Sequence, residues 1–252
     1  MTALDRARRL LADSRRAVAF TGAGVSTASG VPDFRSPGGI WSRYRPVPIQ
    51  EFVVSEEARR RYWIYKKETY ADFARAQPNA AHRTLARLEA DGRLLGVITQ
   101  NIDGLHQDAG SRTVIELHGT NRRVECLACD REYAAAEIQD RLVAGCEVPT
   151  CDSCSGPLKS ATISFGQALR PEVLADALRL ARSADLLLVL GSSLVVYPAA
   201  AIPHEAAAAG AEVVIINREP TPADGIAAAA LQGAVEELLP ALVGDGKIAS
   251  RG

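Results

Sequence analysis

The densest chemistry in the sequence lies where an apolar run breaks off. In ITQNIDGLHQDAG, residues 98 to 110, Gln100, Asn101, Asp103 and His106 crowd one strand end, and His118 follows in IELHGT. A buried strand gains nothing from so many polar groups at its end, whereas doubly wound folds bind ligands outside the carboxyl ends of their strands. Asp103 is suited to accept from an amide, and Gln100 and Asn101 to bond sugar hydroxyls and orient a water. His118 precedes Gly119, which would leave room for close approach, and an imidazole with an ordinary pKa of about 6.5 makes a general base. A histidine taken singly is equally a structural hydrogen-bonding residue. His82, His106 and His204 are read in that way, with His106 bracing the loop.

All five cysteines fall in one short segment. CLAC and CDSC form two C-x-x-C knuckles, Cys126 with Cys129 and Cys151 with Cys154, and two such pairs complete a tetrahedral thiolate shell. The expectation is one zinc ion, structural because four thiolates leave no open position for water; free thiols or redox pairs are the alternative. Cys146 is left over as a free thiol. Near the N-terminus, GAGVSTASGVPDFR follows a short apolar run. Gly22, Ala23 and Gly24 resemble the start of a dinucleotide fingerprint, but Thr27 replaces its third glycine and no strand-end acid follows at about twenty residues, so a plain turn stays open. Arg35 could pair with a phosphate and Phe34 cover a planar ring; a surface ion pair and ordinary core packing are the alternatives.

The elements that must position these groups follow from the apolar pattern. AVAF (17 to 20), LLGVITQ (94 to 100), DLLLVLGSS (185 to 193) and AEVVIIN (211 to 217) alternate with helical patterns such as AHRTLARLEADG and RPEVLADALRLARSA. That alternation predicts a parallel sheet covered on both faces. Thr2 and Asp5 predict a capping box opening a helix over 3 to 14. Two stretches interrupt the alternation, one between Ser36 and Pro78 and one over 121 to 164. With 252 residues, 47% apolar composition and a net charge of -1, the chain suits one main core with insertions. It lacks the basic footprint of a protein that grips nucleic acid. The first residues carry Asp5 and Asp13 and no unbroken apolar stretch, so a cytoplasmic protein without membrane partners is expected.

Taken together, GAGVSTASGVPDFR, TQNIDGLH, ELHG, the paired C-x-x-C knuckles, SFG and GSSLVVYP closely resemble the sirtuin family of NAD-dependent protein lysine deacylases, over about Arg16 to Leu239. The resemblance implies a Rossmann-like α/β fold, a doubly wound parallel sheet with a smaller zinc-ribbon plus helical lobe. It would divide the chain into a Rossmann-like NAD-binding domain (1–39, 79–120 and 165–252), a helical insertion (40–78) and a zinc-binding module (121–164). NAD and an acyl-lysine peptide would meet in the cleft. By position, Gly22, Ala23, Gly24, Thr27, Asp33, Phe34 and Arg35 would line the dinucleotide pocket. Gln100 and Asn101 would lie at the nicotinamide ribose, Ile102 and Asp103 at the carboxamide, and Gly191, Ser192, Ser193 and Asn217 at the adenosine half. Phe165, Gly166, Val195 and Tyr197 would take the peptide as an added strand.

The family mechanism implies attack by the acyl oxygen on the ribose, loss of nicotinamide, then deprotonation of a ribose hydroxyl by His118, with Asn101 as its catalytic companion. That hydroxyl attacks the amidate, and water completes the release of free lysine and O-acyl-ADP-ribose. Protein ADP-ribosyl transfer and a non-catalytic NAD-sensing module are the alternative readings. Three departures stand out. Ser164 and Gln167 flank the Phe165–Gly166 pair, GSS stands at 191 to 193, and the Tyr-x-x-Arg pair that marks succinyl or malonyl preference is missing, its places falling near Lys66 and Thr69. Neutral acyl groups are therefore expected, unless an insertion brings Tyr65 or Tyr70 into the site.

Overall fold

Five consecutive buried residues, Ala17–Thr21, form the first strand, and their alternation explains why no polar side chain appears before Thr21. Ala17 and Ala19 face one core and Val18 and Phe20 the other. A strand covered on both faces has no solvent side to mark with polar residues. The computed structural model describes residues 1–32 and 39–244.

In chain order the elements are α1 (Ala3–Asp13), β1 (Ala17–Thr21), α2 (Ile40–Arg43), α3 (Ile49–Val54), α4 (Glu56–Arg75), α5 (Ala80–Ala90), β2 (Leu94–Thr99), α6 (Leu105–Asp108), β3 (Val114–Glu116) and β4 (Gly119–Cys126). Then come β5 (Glu132–Ala134), α7 (Ala135–Val143), β6 (Leu158–Thr162), α8 (Pro171–Ser183), β7 (Leu186–Leu190), α9 (Ile202–Ala208), β8 (Glu212–Asn217), β9 (Ala229–Gln232) and α10 (Val235–Val243). Strands β3-β2-β1-β7-β8-β9 make one six-stranded sheet in which every pairing is parallel. Counted in chain order within that sheet this is 3-2-1-4-5-6, the Rossmann order, and the topological switch falls between β1 and β7. Helices α1, α5 and α10 cover one face, and α8 and α9 the other. The predicted capping box is present at α1, where the Thr2 side chain accepts from Asp5 N.

A second, three-stranded antiparallel sheet, β5-β4-β6, has its own core. Phe52 of α3 and Tyr62 and Trp63 of α4 pack there against Val124, Tyr133, Ile138, Leu142 and Leu158. The long α4 is capped by Ser55, whose side chain accepts from Ala58 N, with Glu56 and Glu57 in the first turn and Arg75 in the last. Both charge placements suit the helix dipole. Among the described residues no helix is long and apolar enough to cross a membrane.

Candidate active site and metal centre

The loops after β1 and β7 leave the parallel sheet at the switch point and touch each other there. Gly22 N donates to Leu190 O (3.0 Å), Gly24 N to Gly191 O (2.8 Å) and Gly191 N to Ile216 O (2.9 Å). A Cβ on Gly22 or Gly24 would meet the backbone of Gly191 and Ser192, so these glycines let two loops touch. The sequence offers a dinucleotide fingerprint or a plain turn for these glycines; loop packing requires them in either case.

Around these loops opens a cleft of about 1190 Å³. Gly22, Ala23, Gly24 and Thr27 line it from the β1 side, and Gln100, Asn101, Ile102 and His118 from the β2 side. Gly191, Ser192, Ser193 and Asn217 follow β7 and β8, and Phe165, Gly166, Val195 and Tyr197 sit on its wall. Asp103 is not among the lining residues: its buried carboxylate turns inward, accepting from Ser26 Oγ (2.7 Å) and Leu105 N (2.9 Å). Asp33, Phe34 and Arg35 lie outside the described residues. Ser164 and Gln167 both line the cleft and hold each other, Ser164 N donating to Gln167 Oε1 at 3.1 Å.

His118 stands where the large sheet hands the chain to the small one. The peptide on either side is pinned, Leu117 N to Thr99 O (2.9 Å) and Ile163 N to His118 O (2.8 Å). Its Nδ1 lies 2.9 Å from Gln100 O. A carbonyl only accepts, so Nδ1 carries the proton and the neutral ring keeps its lone pair on Nε2. Gly119 has a φ of 71°, and a Cβ there would strike the Ala161 carbonyl. Close packing on β6, more than room for a ligand, accounts for that glycine.

Beneath the cleft floor lies a buried polar network. Asn101 Nδ2 donates to Ser26 Oγ (3.0 Å), and Asn101 N donates to Thr99 Oγ1 (3.0 Å). Thr21 Oγ1 donates to Thr99 Oγ1 (2.8 Å), which leaves His106 Nε2, 3.0 Å away, as the donor to Thr21. His82 stacks near His106, ring centroids 4.8 Å apart, and accepts at Nδ1 from Asn79 N (3.3 Å). Burial pushes His82 down to about 4, against some help from Asp103, and His106 down to about 3. Both imidazoles are thus structural and neutral. Ser26 carried no signal in the sequence beyond being one small hydroxyl among several.

The helical insertion also reaches the cleft: Tyr62, Tyr65 and Lys66 line it, whereas Thr69 is buried with its hydroxyl on Tyr65 O. Lys66 Nζ lies 2.6 Å from Asn121 Oδ1, and desolvation lowers its amine to about 7. Lys66 and Thr69, three residues apart, share one face of α4 but differ in reach: Lys66 lines the cleft, and the short Thr69 side chain is bonded back to its own helix.

Outside the cleft lining, the Sγ atoms of Cys126, Cys129, Cys151 and Cys154 all lie within 4.8 Å of one another. Neighbouring pairs are 3.4 to 3.7 Å apart. A tetrahedral ion with bonds of about 2.3 Å to sulfur sets its ligands ~3.8 Å apart, so the four thiols fit one zinc ion. The two knuckles share one construction: Asp130 N donates to Cys126 O and Ser155 N to Cys151 O, with Asp130 and Ser155 both at a φ of 58°. Tyr133 Oη donates to Cys151 Sγ (3.2 Å) and holds that thiol down to about 6, favouring the thiolate a metal needs. Cys146 is exposed and outside the group.

Comparison with known proteins gives one consistent result. The Sir2 family model matches residues 22–198. The NAD-dependent protein deacetylase 1 of Bradyrhizobium diazoefficiens is 45% identical over 244 residues, 96% of each chain. The NAD-dependent protein deacylase 2 of Pyrobaculum aerophilum is 47% identical over 239 residues, 93% of this chain and 92% of the relative. A Sir2 variant solved with deacetylated p53 peptide and 3'-o-acetyl ADP ribose superposes with a TM-score of 0.87 at 40% identity, covering 94% of this chain and 95% of that one.

Proposed function

The chain belongs to the Sir2 family, and from that premise we propose that it removes acyl groups from protein lysines with His118 as general base. It is an NAD-dependent protein-lysine deacylase, with NAD and acyl-lysine peptides as its partners. The observation that carries the assignment of the base is the His118 Nδ1 bond to Gln100 O, which fixes the tautomer and leaves Nε2 as the proton acceptor.

The cleft suits NAD in its chemistry. Asn217, Ser193, Ser192, Gln100 and Asn101 line it with amides and hydroxyls matched to sugar hydroxyls and a carboxamide, and the charged Arg218 and Glu219 lie beside Asn217. NAD, when bound, supplies a glycosidic bond labile enough for the acyl oxygen to displace nicotinamide. The chain supplies position. Gln100 Nε2 and Ser192 Oγ, 2.8 Å apart, tie the β2 and β7 loops across the site. Asn101, held by Ser26, orients hydroxyl and water on the cleft floor, and Ile102 backs the nicotinamide end. His118 takes a proton at Nε2, and Gln100 O stabilises the imidazolium that results. Holding a weak oxygen nucleophile in a dry cleft is where rate is gained.

Phe165, Val195 and Tyr197 are 45%, 55% and 71% exposed at the cleft wall. Solvent-exposed apolar groups on two segments of the cleft wall suit an extended peptide that adds a strand between 164–166 and 195–198. In the same reading, residues 40–78 and 121–164 form a small lobe stiffened by zinc, and Asp33, Phe34 and Arg35 complete the dinucleotide pocket. A net charge of -1 argues against nucleic acid as a partner, and cysteines used as a metal clip suit the cytoplasm.

The test is nicotinamide release that requires an acyl-lysine peptide. His118→Ala should lower kcat at least a hundredfold, as expected for loss of a general base. Full turnover in that variant would remove His118 from the mechanism.

A further inference from the structure

The first residues of β4 are spent on another element. Asn121 N donates to Ile102 O (2.8 Å), and Arg122 Nε donates to Asp103 O (3.1 Å). Two successive carbonyls of the loop after β2 are therefore held by two successive residues of the small sheet. The Arg122 fork also grips Asp108 of α6 through both nitrogens, Nη1 to Oδ1 at 2.7 Å and Nη2 to Oδ2. Gly104, between them, has a φ of 72°, and a Cβ there would fall on the guanidinium. The glycine and the arginine thus share one space.

An exposed ion pair contributes little by itself. This one differs because its fork is bidentate and the same guanidinium closes a backbone carbonyl of the loop that carries Asn101 and Ile102. Asp103 is held from two directions, its carbonyl by Arg122 and its carboxylate by Ser26 and Leu105 N. The clamp thus adds a hold from the small sheet to the bonds that Ser26 and Leu105 N supply from the side of the large one.

We infer that Arg122 is a positioning residue for the nicotinamide half of the site: acting through the Asp103 carbonyl and Asp108, it fixes the loop that presents Asn101 and Ile102 to the cleft. The role rests on the deacylase reading for its ligand, and its consequence is that the small lobe sets part of the affinity for NAD. Lys66 extends the connection, since it donates to Asn121 and so joins α4 to the start of β4.

The experiment measures NAD affinity by calorimetry and, separately, nicotinamide inhibition, the KM values of NAD and acyl peptide, and Tm. It compares the whole protein with Arg122→Met, Arg122→Lys, Asp108→Asn and the Met/Asn double variant. Loss of a charge-assisted clamp should weaken NAD and nicotinamide about tenfold in Arg122→Met while the peptide KM stays within about twofold. Arg122→Lys, which keeps the charge and loses the fork, should fall between, and the double variant should be no worse than Arg122→Met. Unchanged NAD and nicotinamide affinity would overturn the inference, and so would a parallel rise in peptide KM with a fall in Tm. Calorimetry needs no turnover, so an inactive wild type would sink the deacylase reading while still deciding the role of Arg122.

Discussion

Acid should destabilise this protein well before its carboxylates are protonated, because two buried imidazoles have nowhere to put a second proton. His106 donates from Nε2 to Thr21, and its buried Nδ1 has no hydrogen-bond partner among the described residues. His82 accepts at Nδ1 from the backbone N–H of Asn79, at the positive end of α5. Protonation there would set N–H against N–H beside the helix N-terminus. Folded values of about 4 and about 3 stand against an ordinary 6.5. Both are depressed, so the unfolded chain binds more protons between these limits, and stability complete above about pH 6.5 falls as pH drops toward 4. From pH 7 to 5.5 each imidazole costs about 1 kcal/mol, and the pair ~2 to 3 kcal/mol. Urea titrations at the two pH values should show a midpoint lower by roughly 1 M at an m of about 3 kcal/mol/M. Long-range proton–nitrogen NMR should find both rings neutral throughout. A ring titrating above pH 6 in the folded protein, or equal midpoints, would refute the reasoning.

Two further outcomes follow from the small lobe. Removal of zinc by a chelator, or Cys151→Ser, should forfeit metal binding on the order of 10 kcal/mol and loosen the core around Trp63, which is 2% exposed; its emission should shift to the red. An unchanged spectrum after one equivalent of zinc is released would contradict a structural role. Lys66→Met should stabilise the fold, because a lysine lowered to about 7 is charged at a cost below that pH and neutral above it. The gain should be about 2 to 3 kcal/mol larger at pH 6 than at pH 9, as read from thermal melts, and a gain independent of pH would show that the amine is well solvated.

How much of this was legible in the sequence depends on how local the signal was. The strands read from AVAF, LLGVITQ, DLLLVLGSS and AEVVIIN lie within a few residues of β1, β2, β7 and β8. Apolar runs bounded by loop residues report burial without knowledge of partners. The capping box at Thr2 and the cysteine knuckles were legible for the same reason, since each is closed within a few residues. Harder cases were those in which a side chain's direction depended on a distant neighbour. Asp103 reads as a cleft residue in the sequence, yet Ser26, 77 positions away, draws its carboxylate inward. Lys66 and Thr69 look equivalent by counting and share a face of α4, yet they part company because the long lysine reaches the cleft while the Thr69 hydroxyl bonds the backbone of its own helix.

The sequence by itself determined the alternation that makes a parallel sheet, the four thiols that fit one ion, and the motifs that mark the family. Those are set by the types of neighbouring residues. Only the tertiary structure decided that the loops after β1, β2, β7 and β8 meet in one cleft, that Gly22, Gly24 and Gly119 are small because other backbone lies against them, and that Arg122 holds the loop before α6. Contacts between segments far apart in the chain depend on strand order and crossing, which no local pattern encodes.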